Sequence, residues 1–125
     1  APGWDVITVN ALFFAREVIA PVALEAMAVQ GLVDFTQSLR TIQRYHPDLN
    51  LRYVLPTFLD RRVRKSDEIL QQLRGYYGEQ LCAPVRYNVR LSEAPGHGQT
   101  IFEYAAGSTG ALDYGSLTER ILEDE

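Results

Sequence analysis

Residues 17–58 read EVIAPVALEAMAVQGLVDFTQSLRTIQRYHPDLNLRYVLPTF, and this stretch decides the fold. It opens with a short apolar run from Glu17 to Ala23 that is typical of a buried strand. It closes with a second such run from Leu51 to Phe58, whose late Pro56 suits the end of a strand. Between them the segment from about Met27 to Tyr45 repeats apolar residues at steps of three and four, which predicts a helix lying on a sheet. The inward residues of that helix are Val29, Leu32, Phe35, Leu39 and Ile42. Two strands joined through a helix are expected to run parallel.

The chain on either side continues this alternation of helices and strands. Val6 to Ala15 predicts a short helix, and residues 66–77 predict an amphipathic helix that begins near Ser66 or Asp67 and ends at Gly78. Its expected inward residues are Ile69, Leu70, Leu73, Tyr76 and Tyr77.

A short third strand from Leu81 to Val85 and a final helix from about Gly110 to Leu122 complete the pattern. The turn Ala106–Gly110 is interpreted as a cap for that helix, which is expected to bury Leu112, Leu117 and Ile121. The whole pattern predicts an α/β fold with a doubly wound, mostly parallel sheet and helices on both faces.

The composition is that of one soluble globular domain with an uneven charge distribution. The 125 residues are 46% hydrophobic and carry a net charge of −4. Residues 52–90 nevertheless hold eight Lys and Arg against four Asp and Glu, so a basic face is expected on an acidic chain. The lone Cys82 is interpreted as a buried thiol, and no apolar run is long enough to span a bilayer.

The stretch from Tyr87 to Thr100, YNVRLSEAPGHGQT, is dense in recognition groups. Pro95 and the glycines at 96 and 98 predict an irregular, shaped surface loop that continues to Tyr104. A plain polar connector between two elements is the alternative, since most polar loops are only connectors.

Residues 88–95, Asn-Val-Arg-Leu-Ser-Glu-Ala-Pro, closely resemble the signature loop in the C-terminal half of ParA-type (Soj-type) partition ATPases, which are relatives of MinD with a deviant Walker motif. Ala1-Pro2-Gly3-Trp4-Asp5 followed by Thr8-Val9-Asn10-Ala11-Leu12 is similar to that family's segment after its switch aspartate. Further matching stretches follow in the family's order, so the resemblance covers essentially the whole chain: Ile19–Val22, Gln30–Leu32, Val54–Thr57 with Asp60 and Arg62, Ile101–Tyr104 and Ser108–Ala111.

The resemblance implies that residues 1–125 are the C-terminal portion of a single P-loop NTPase-like ATPase domain whose N-terminal, phosphate-binding half is absent. The family's Gly-rich loop with lysine has no counterpart here, and no His, Cys and carboxylate cluster has the spacing of a metal site. We therefore expect ATP and Mg²⁺ in the complete protein but none bound to this chain, which alone should be inactive. Pro2 and Gly3 occupy the family's switch position.

The strand ends place candidate base contacts at Thr57, Arg86, Tyr87 and Asn88, close to where the family binds adenine. A purine is expected to stack on Tyr87, with hydrogen bonds from Thr57 or Asn88. The usual Ile-Pro-Arg-Asn of the family is replaced here by Val85-Arg86-Tyr87-Asn88. The alternative is that Tyr87 packs on the final helix and that Asn88 caps the loop.

The resemblance also implies contacts to DNA phosphates from Arg62 and Arg90, reinforced by Arg61, Arg64 and Lys65; the alternative is a merely solvated basic face. The implied protein is a cytoplasmic, nucleoid-associated, ATP-dependent homodimer that partitions a plasmid or chromosome with a ParB-type centromere-binding protein. Other interpretations are a non-catalytic DNA- or protein-binding fragment and a MinD-like ATPase of the division site. The acidic end Glu123–Glu125 disfavours the last, because MinD-type proteins end in a basic amphipathic helix that lies on the membrane.

Overall fold

The structure is a computed structural model that describes residues 5–125. Its helices and strands alternate along the first two thirds of the chain and become short helices near residue 90. They are α1 Val6–Phe14, β1 Glu17–Ala23, α2 Ala26–Gln43, β2 Asn50–Thr57, α3 Arg64–Tyr77, α4 Val89–Glu93, α5 Ile101–Tyr104 and α6 Thr109–Glu123, with single 3₁₀ turns at Gly78–Gln80 and Ala94–His97. None of the described helices is both long enough and apolar enough to cross a bilayer.

Strands β1 and β2 pair in parallel, as the crossover pattern predicts. The register runs from Glu17 opposite Asn50 to Ala23 opposite Thr57, with one irregularity between Val18 and Ile19. Among the described residues β1 is an edge strand, because its second side pairs with no other strand. A groove of about 660 Å³ runs beside it, lined largely by apolar residues of β1 and α2.

The predicted third strand, Leu81–Val85, is not a regular strand. The segment runs parallel to β2 and forms one isolated bridge with it, Val54 with Leu81, while a second bridge, Leu59 with Arg86, lies just beyond the ends of both. Cys82 N–H donates to the Val54 carbonyl at 2.9 Å, and the next donor is Val85 N–H to the Pro56 carbonyl at 2.8 Å. Pro84 lies between the two donors and has no N–H, so the ladder loses a bond and changes phase at this residue.

Helices cover both faces of the sheet, which confirms the predicted fold class. On one face, Leu51 and Val54 of β2 belong to a large buried cluster with residues of α2 and α3. On the other face, Tyr53 and Leu55 belong to a smaller cluster that also contains Cys82. This second cluster is covered by Leu91 of α4 and by Tyr114, Leu117 and Ile121 of α6.

Two residues predicted to face inward do not. Leu112 of α6 is 58% exposed and Tyr76 of α3 is 71% exposed. In α6 the buried stripe instead runs through Gly110, Ala111 and the half-buried Tyr114, because the helix approaches α4 through its first turn.

The prediction of an irregular stretch from Tyr87 to Tyr104 is wrong, since most of it is helical. Asn88 is the N-cap of helix α4, and its side-chain oxygen accepts from the Arg90 N–H at 2.9 Å. Pro95 sits in the first turn of the following 3₁₀ segment, where a missing N–H costs no hydrogen bond. Gly98, at φ +65°, ends that turn, and a capping box between Thr100 and Glu103 starts α5.

A hydrogen-bonded network ties the end of α6 to β2. Tyr53 donates its hydroxyl to Asp124 Oδ2 at 2.6 Å, and Arg120 Nη1 donates to the Leu81 carbonyl at 2.8 Å. Arg52 donates to both carboxylate oxygens of Glu17 at 2.8 Å and stacks over the Tyr53 ring at 5.3 Å. These contacts fix α6 along one face of the sheet.

Candidate functional site

A cleft of about 480 Å³ opens where β2 and the neighbouring segment 85–88 end. Thr57, Arg86, Tyr87 and Asn88, the predicted base contacts, all line it. Parallel strands end at the same edge of a sheet, which is where open α/β folds bind ligands. The other lining residues were not predicted as base contacts and come from β1, from the turn after β2, from the segment 85–88 and from helices α4 and α6: Pro21, Phe58, Val85, Val89, Leu91, Ser92 and Tyr114.

Asn88 serves the fold with both ends of its side chain. Its Oδ1 caps α4, and its Nδ2 donates to Thr109 Oγ1 at 2.6 Å, which joins α4 to the start of α6. The interpretation that Asn88 caps the loop is therefore confirmed. One amide hydrogen of Nδ2 remains for a further acceptor, because a side-chain amide has two.

The Arg86 guanidinium is held by Asp113 of α6. Nε and Nη2 donate to the two carboxylate oxygens at 3.0 and 2.8 Å, and the Arg86 backbone N–H donates to the same carboxylate at 2.9 Å. Burial alone would raise the pKa of Asp113, but the hydrogen bonds from Arg86 outweigh burial and bring this pKa below its usual value. Arg86 thus lines the cleft with its charge already paired, and it joins the cleft to α6.

Tyr87 is not buried against the rest of the chain. Its side chain is 54% exposed, and its ring meets that of Phe58 at a centroid distance of 6.3 Å and an angle of 45°. The Phe58 ring is 62% exposed. The two aromatic rings therefore stand together at the mouth of the cleft.

Phe58 has a left-handed backbone, with φ +56°, and is the single non-glycine residue with positive φ among those the structure describes. Such a conformation costs a non-glycine residue about 1–3 kcal/mol and persists when its neighbours fix it. Here Leu24 N–H donates to the Thr57 carbonyl and Leu59 N–H donates to the Val85 carbonyl, both at 3.1 Å. The chain changes partners at Phe58, from β1 to the segment 85–87. The sequence could not reveal this strain, because Phe is not a residue type that favours positive φ.

The predicted phosphate-binding residues are all exposed, but several are already paired. Arg62 makes a bidentate contact with Asp60 at 3.0 and 2.9 Å, and Arg90 contacts Glu93 at 2.9 Å. Arg64 lies 3.4 Å from Glu68.

Arg61 and Lys65 differ from these three because they have no ion pair within the part of the chain that the structure describes. Both side chains are exposed. Among the predicted DNA contacts, they are therefore the cations that a phosphate can reach without breaking an ion pair.

The predicted switch residues Pro2 and Gly3 lie outside the described residues. Within residues 5–125 no group of His, Cys, Asp and Glu side chains is arranged to hold a metal ion. Cys82 is buried and unpaired with another cysteine, as predicted, and burial raises its pKa.

Comparisons with known proteins agree with the resemblance drawn from the motifs. No protein-family model matches the sequence. The chain is 34% identical over 122 residues to the sporulation initiation inhibitor protein Soj of Bacillus subtilis, covering 96% of this chain and 48% of the relative. It is 34% identical to the chromosome-partitioning ATPase Soj of Thermus thermophilus, and the match covers 97% of this chain and 49% of the relative. It is 33% identical to the chromosome partitioning protein ParA of Caulobacter vibrioides, and that match covers 99% of this chain and 47% of the relative. The chain thus spans about half the length of the curated relatives it matches.

A solved structure shares the fold. The crystal structure of cobyrinic acid a,c-diamide synthase from Mycobacterium smegmatis with bound ADP and magnesium superposes with a TM-score of 0.69 at 27% identity, over 94% of this chain and 42% of that chain.

Proposed function

Because the chain is a homologue of the Soj/ParA chromosome-partitioning ATPases over about half their length, we propose that it forms the base-binding and DNA-binding part of an ATPase that partitions chromosomes or plasmids. The cleft at the end of β2 carries this proposal, because it gathers Thr57, Arg86, Tyr87 and Asn88 where α/β sheets bind their ligands.

The base of ATP occupies the cleft beside Tyr87 in this proposal. Tyr87 offers an exposed ring for stacking, Asn88 has one amide hydrogen left for a ring nitrogen, and Thr57 supplies a hydroxyl. Arg86 is not proposed as the main base contact, because its Nε and Nη2 already donate to Asp113. Its part is to hold the wall of the cleft in place.

The phosphates and Mg²⁺ need partners that residues 5–125 do not provide. In these residues no group of three or more His, Cys, Asp and Glu side chains could hold a metal ion, and there is no Gly-rich loop with a lysine. When bound, Mg²⁺ neutralises charge on the phosphates during hydrolysis. In the proposal the complete protein supplies those groups from other residues, and this chain by itself binds ATP weakly and does not hydrolyse it.

The basic residues form the DNA-binding part. Arg61 and Lys65 contact the DNA phosphates directly. Arg62, Arg64 and Arg90 add to the positive charge of this surface while they remain paired with carboxylates. No recognition helix is implied, so binding is to the backbone and falls steeply with salt. The assembled protein is an ATP-dependent homodimer on nucleoid DNA that a ParB-type partner stimulates.

Nucleotide titrations of the chain and of the complete protein test the proposal. We expect ATP to shift amide NMR signals of Tyr87 and Asn88 in the chain, with a dissociation constant of about 1 mM or weaker, and to bind the complete protein far more tightly. Tyr87→Ala should weaken both, whereas Tyr45→Ala is a matched control, because Tyr45 is 77% exposed and does not line the cleft.

Hydrolysis, DNA-binding and vesicle-sedimentation assays, together with the nucleotide titrations, separate the other interpretations. ATP hydrolysis by the complete protein that neither DNA nor a ParB-type partner raises would contradict the partition role. Binding of DNA without any ATP response at Tyr87 or Asn88 would favour a non-catalytic module. ATP-dependent sedimentation with anionic vesicles would favour the MinD-like role.

A further inference from the structure

We propose that Phe58 is the second wall of a purine slot, in which the base lies between the rings of Phe58 and Tyr87. The inference rests on the proposed function and adds to it a specificity-determining residue that neither the motifs nor the comparisons assign. Four observations at Phe58 support it: the exposure of its ring, the partner ring, the strained backbone and the position at the mouth of the cleft.

The exposed ring of Phe58 is unusual because the residue also has a strained backbone. Phe58 presents 62% of its surface to solvent while its backbone stays in the left-handed region. Both features oppose the stability of the fold, and neither is offset by burial. Strain of this kind concentrates at ligand sites, where surrounding structure holds a side chain in a chosen direction.

The surroundings fix that direction on both sides. The Thr57 carbonyl and the Leu59 N–H are bonded to Leu24 and Val85, and Tyr87 N–H donates to the Leu59 carbonyl at 2.8 Å. The backbone of Tyr87 is therefore bonded directly to Leu59, the residue that follows Phe58. A slot between the two rings is largely pre-formed, which lowers the ordering cost of binding.

The separation of the rings suits a flat ligand. A base stacked on both sides requires centroids about 7 Å apart, which is twice the optimal carbon–carbon distance of about 3.5 Å. The observed centroid distance is 6.3 Å, and the 45° angle makes the pair open like a wedge. Turning the rings parallel with a small increase in distance admits one aromatic layer.

The slot should prefer purines to pyrimidines. Both walls act through stacking area, and the fused double ring of a purine covers more of the Phe58 and Tyr87 faces than a single ring covers. Hydrogen bonds from Asn88 and Thr57 at the edge of the slot then orient the base rather than supply most of its affinity.

Adenosine and uridine are the probes, because neither carries a phosphate and both report on the cleft alone. We expect adenosine to shift the amide signals of Phe58, Tyr87 and Asn88 in ¹H–¹⁵N spectra of the chain, and uridine to bind at least about fivefold more weakly. Phe58→Asn removes the ring but keeps a residue type that tolerates positive φ. It should weaken adenosine binding about tenfold or more, as expected for the loss of one stacking face, while Phe58→Tyr should stay within about twofold of the wild type.

Melting temperatures show whether a variant loses adenosine binding simply because it is unfolded. Phe58→Asn should melt at the same temperature as the wild type or higher, because it relieves strain and gives up little buried surface. Phe102→Ala is the matched control, since Phe102 is 50% exposed, lies on α5 and does not line the cleft. It should leave adenosine binding unchanged.

The outcomes separate this inference from the proposed function. Adenosine shifts at Tyr87 and Asn88 that persist at wild-type affinity in Phe58→Asn would overturn the slot but keep the base site. Equal affinity for uridine would overturn the purine preference. Adenosine that shifts no cleft signal in the wild type would overturn the base site itself, and the slot with it.

Discussion

Replacing Gly110 by alanine should destabilise the protein, although glycine to alanine in a helix ordinarily stabilises. A Cβ built at Gly110 would lie 2.7 Å from Leu91 Cγ and 2.9 Å from Leu91 Cδ2. Leu91 cannot retreat toward the sheet, because it packs there against the cluster of Tyr53, Leu55 and Val85. The Leu91 side chain can move only toward the cleft, which it also lines.

The magnitude follows from two opposing effects. Overpacking a filled site typically costs about 1–3 kcal/mol, and the helix propensity of alanine returns at most about 1 kcal/mol. The open cleft limits the cost, so we expect Gly110→Ala to lower the free energy of unfolding by about 1–2 kcal/mol. The displaced Leu91 head should also narrow the cleft and weaken adenosine binding.

Urea denaturation followed by far-UV circular dichroism measures the change. Gly115→Ala is the matched control on the same helix, because no atom lies within 4 Å of the Cβ it would add. Gly115→Ala should stabilise by up to about 1 kcal/mol, so the two variants should move the midpoint in opposite directions.

A double-mutant cycle with Leu91→Ala isolates the contact. In the Leu91→Ala background the clash is absent, and Gly110→Ala should become neutral or stabilising. Gly110→Ala that matches or exceeds wild-type stability, or that costs the same with and without the Leu91 head, would refute the argument that these two residues pack against each other.

Four further predictions concern charge and the sheet edge. Arg61→Glu with Lys65→Glu in the complete protein should abolish DNA binding in filter assays without lowering the melting temperature; unchanged binding would identify them as merely solvated. Arg62→Ala with Arg90→Ala should reduce the slope of log affinity against log salt by about 0.9 for each phosphate that the protein no longer neutralises and cost under about 1 kcal/mol of stability, since both arginines belong to exposed ion pairs; unfolding would show them to be structural. Asp113 has a lowered pKa in the folded state, so its stabilisation is present above its unfolded value of about 3.9 and is lost as pH falls through the lower folded value; the stability gap between wild type and Asp113→Asn should shrink only below about pH 4, and a gap unaffected by acid would contradict the ion pair. The open edge of β1 predicts self-association of the isolated chain, which a monomer in sedimentation at high concentration would contradict.

The strands and the long helices were predictable because their apolar patterns are strong and local. Glu17–Ala23 matches the predicted strand residue for residue, and β2 differs from its prediction by one residue at each end. The gathering of Thr57, Tyr87 and Asn88 was also predictable, since it requires only that adjacent parallel segments end at the same edge.

The details that decide chemistry depend on contacts distant in sequence. The partner of Arg86 lies 27 residues away at Asp113, and nothing near Arg86 in the sequence points to it. The short helices after Asn88 depend on N-caps and on the position of Pro95. A proline breaks a helix from within but is favoured in its first turn. The change of hydrogen-bonding phase at Pro84 could likewise be predicted only if the residues that pair with β2 were known.

Helix α6 controls the cleft more than the sequence suggests. Residues of its first two turns hold three cleft residues at once: Thr109 accepts from Asn88, Gly110 receives Leu91, and Asp113 binds Arg86. Asn88 and Arg86 therefore attach the wall of the cleft to α6. Both were predicted as ligand contacts, and both already make hydrogen bonds within the fold. The groups left to meet a ligand are the aromatic faces of Phe58 and Tyr87, the Thr57 hydroxyl, one hydrogen of the Asn88 amide and the Arg86 N–H groups that Asp113 does not accept. In the proposed function, such a site binds a flat heterocycle mainly by stacking. The proposal therefore assigns the binding of the phosphates to groups outside residues 5–125.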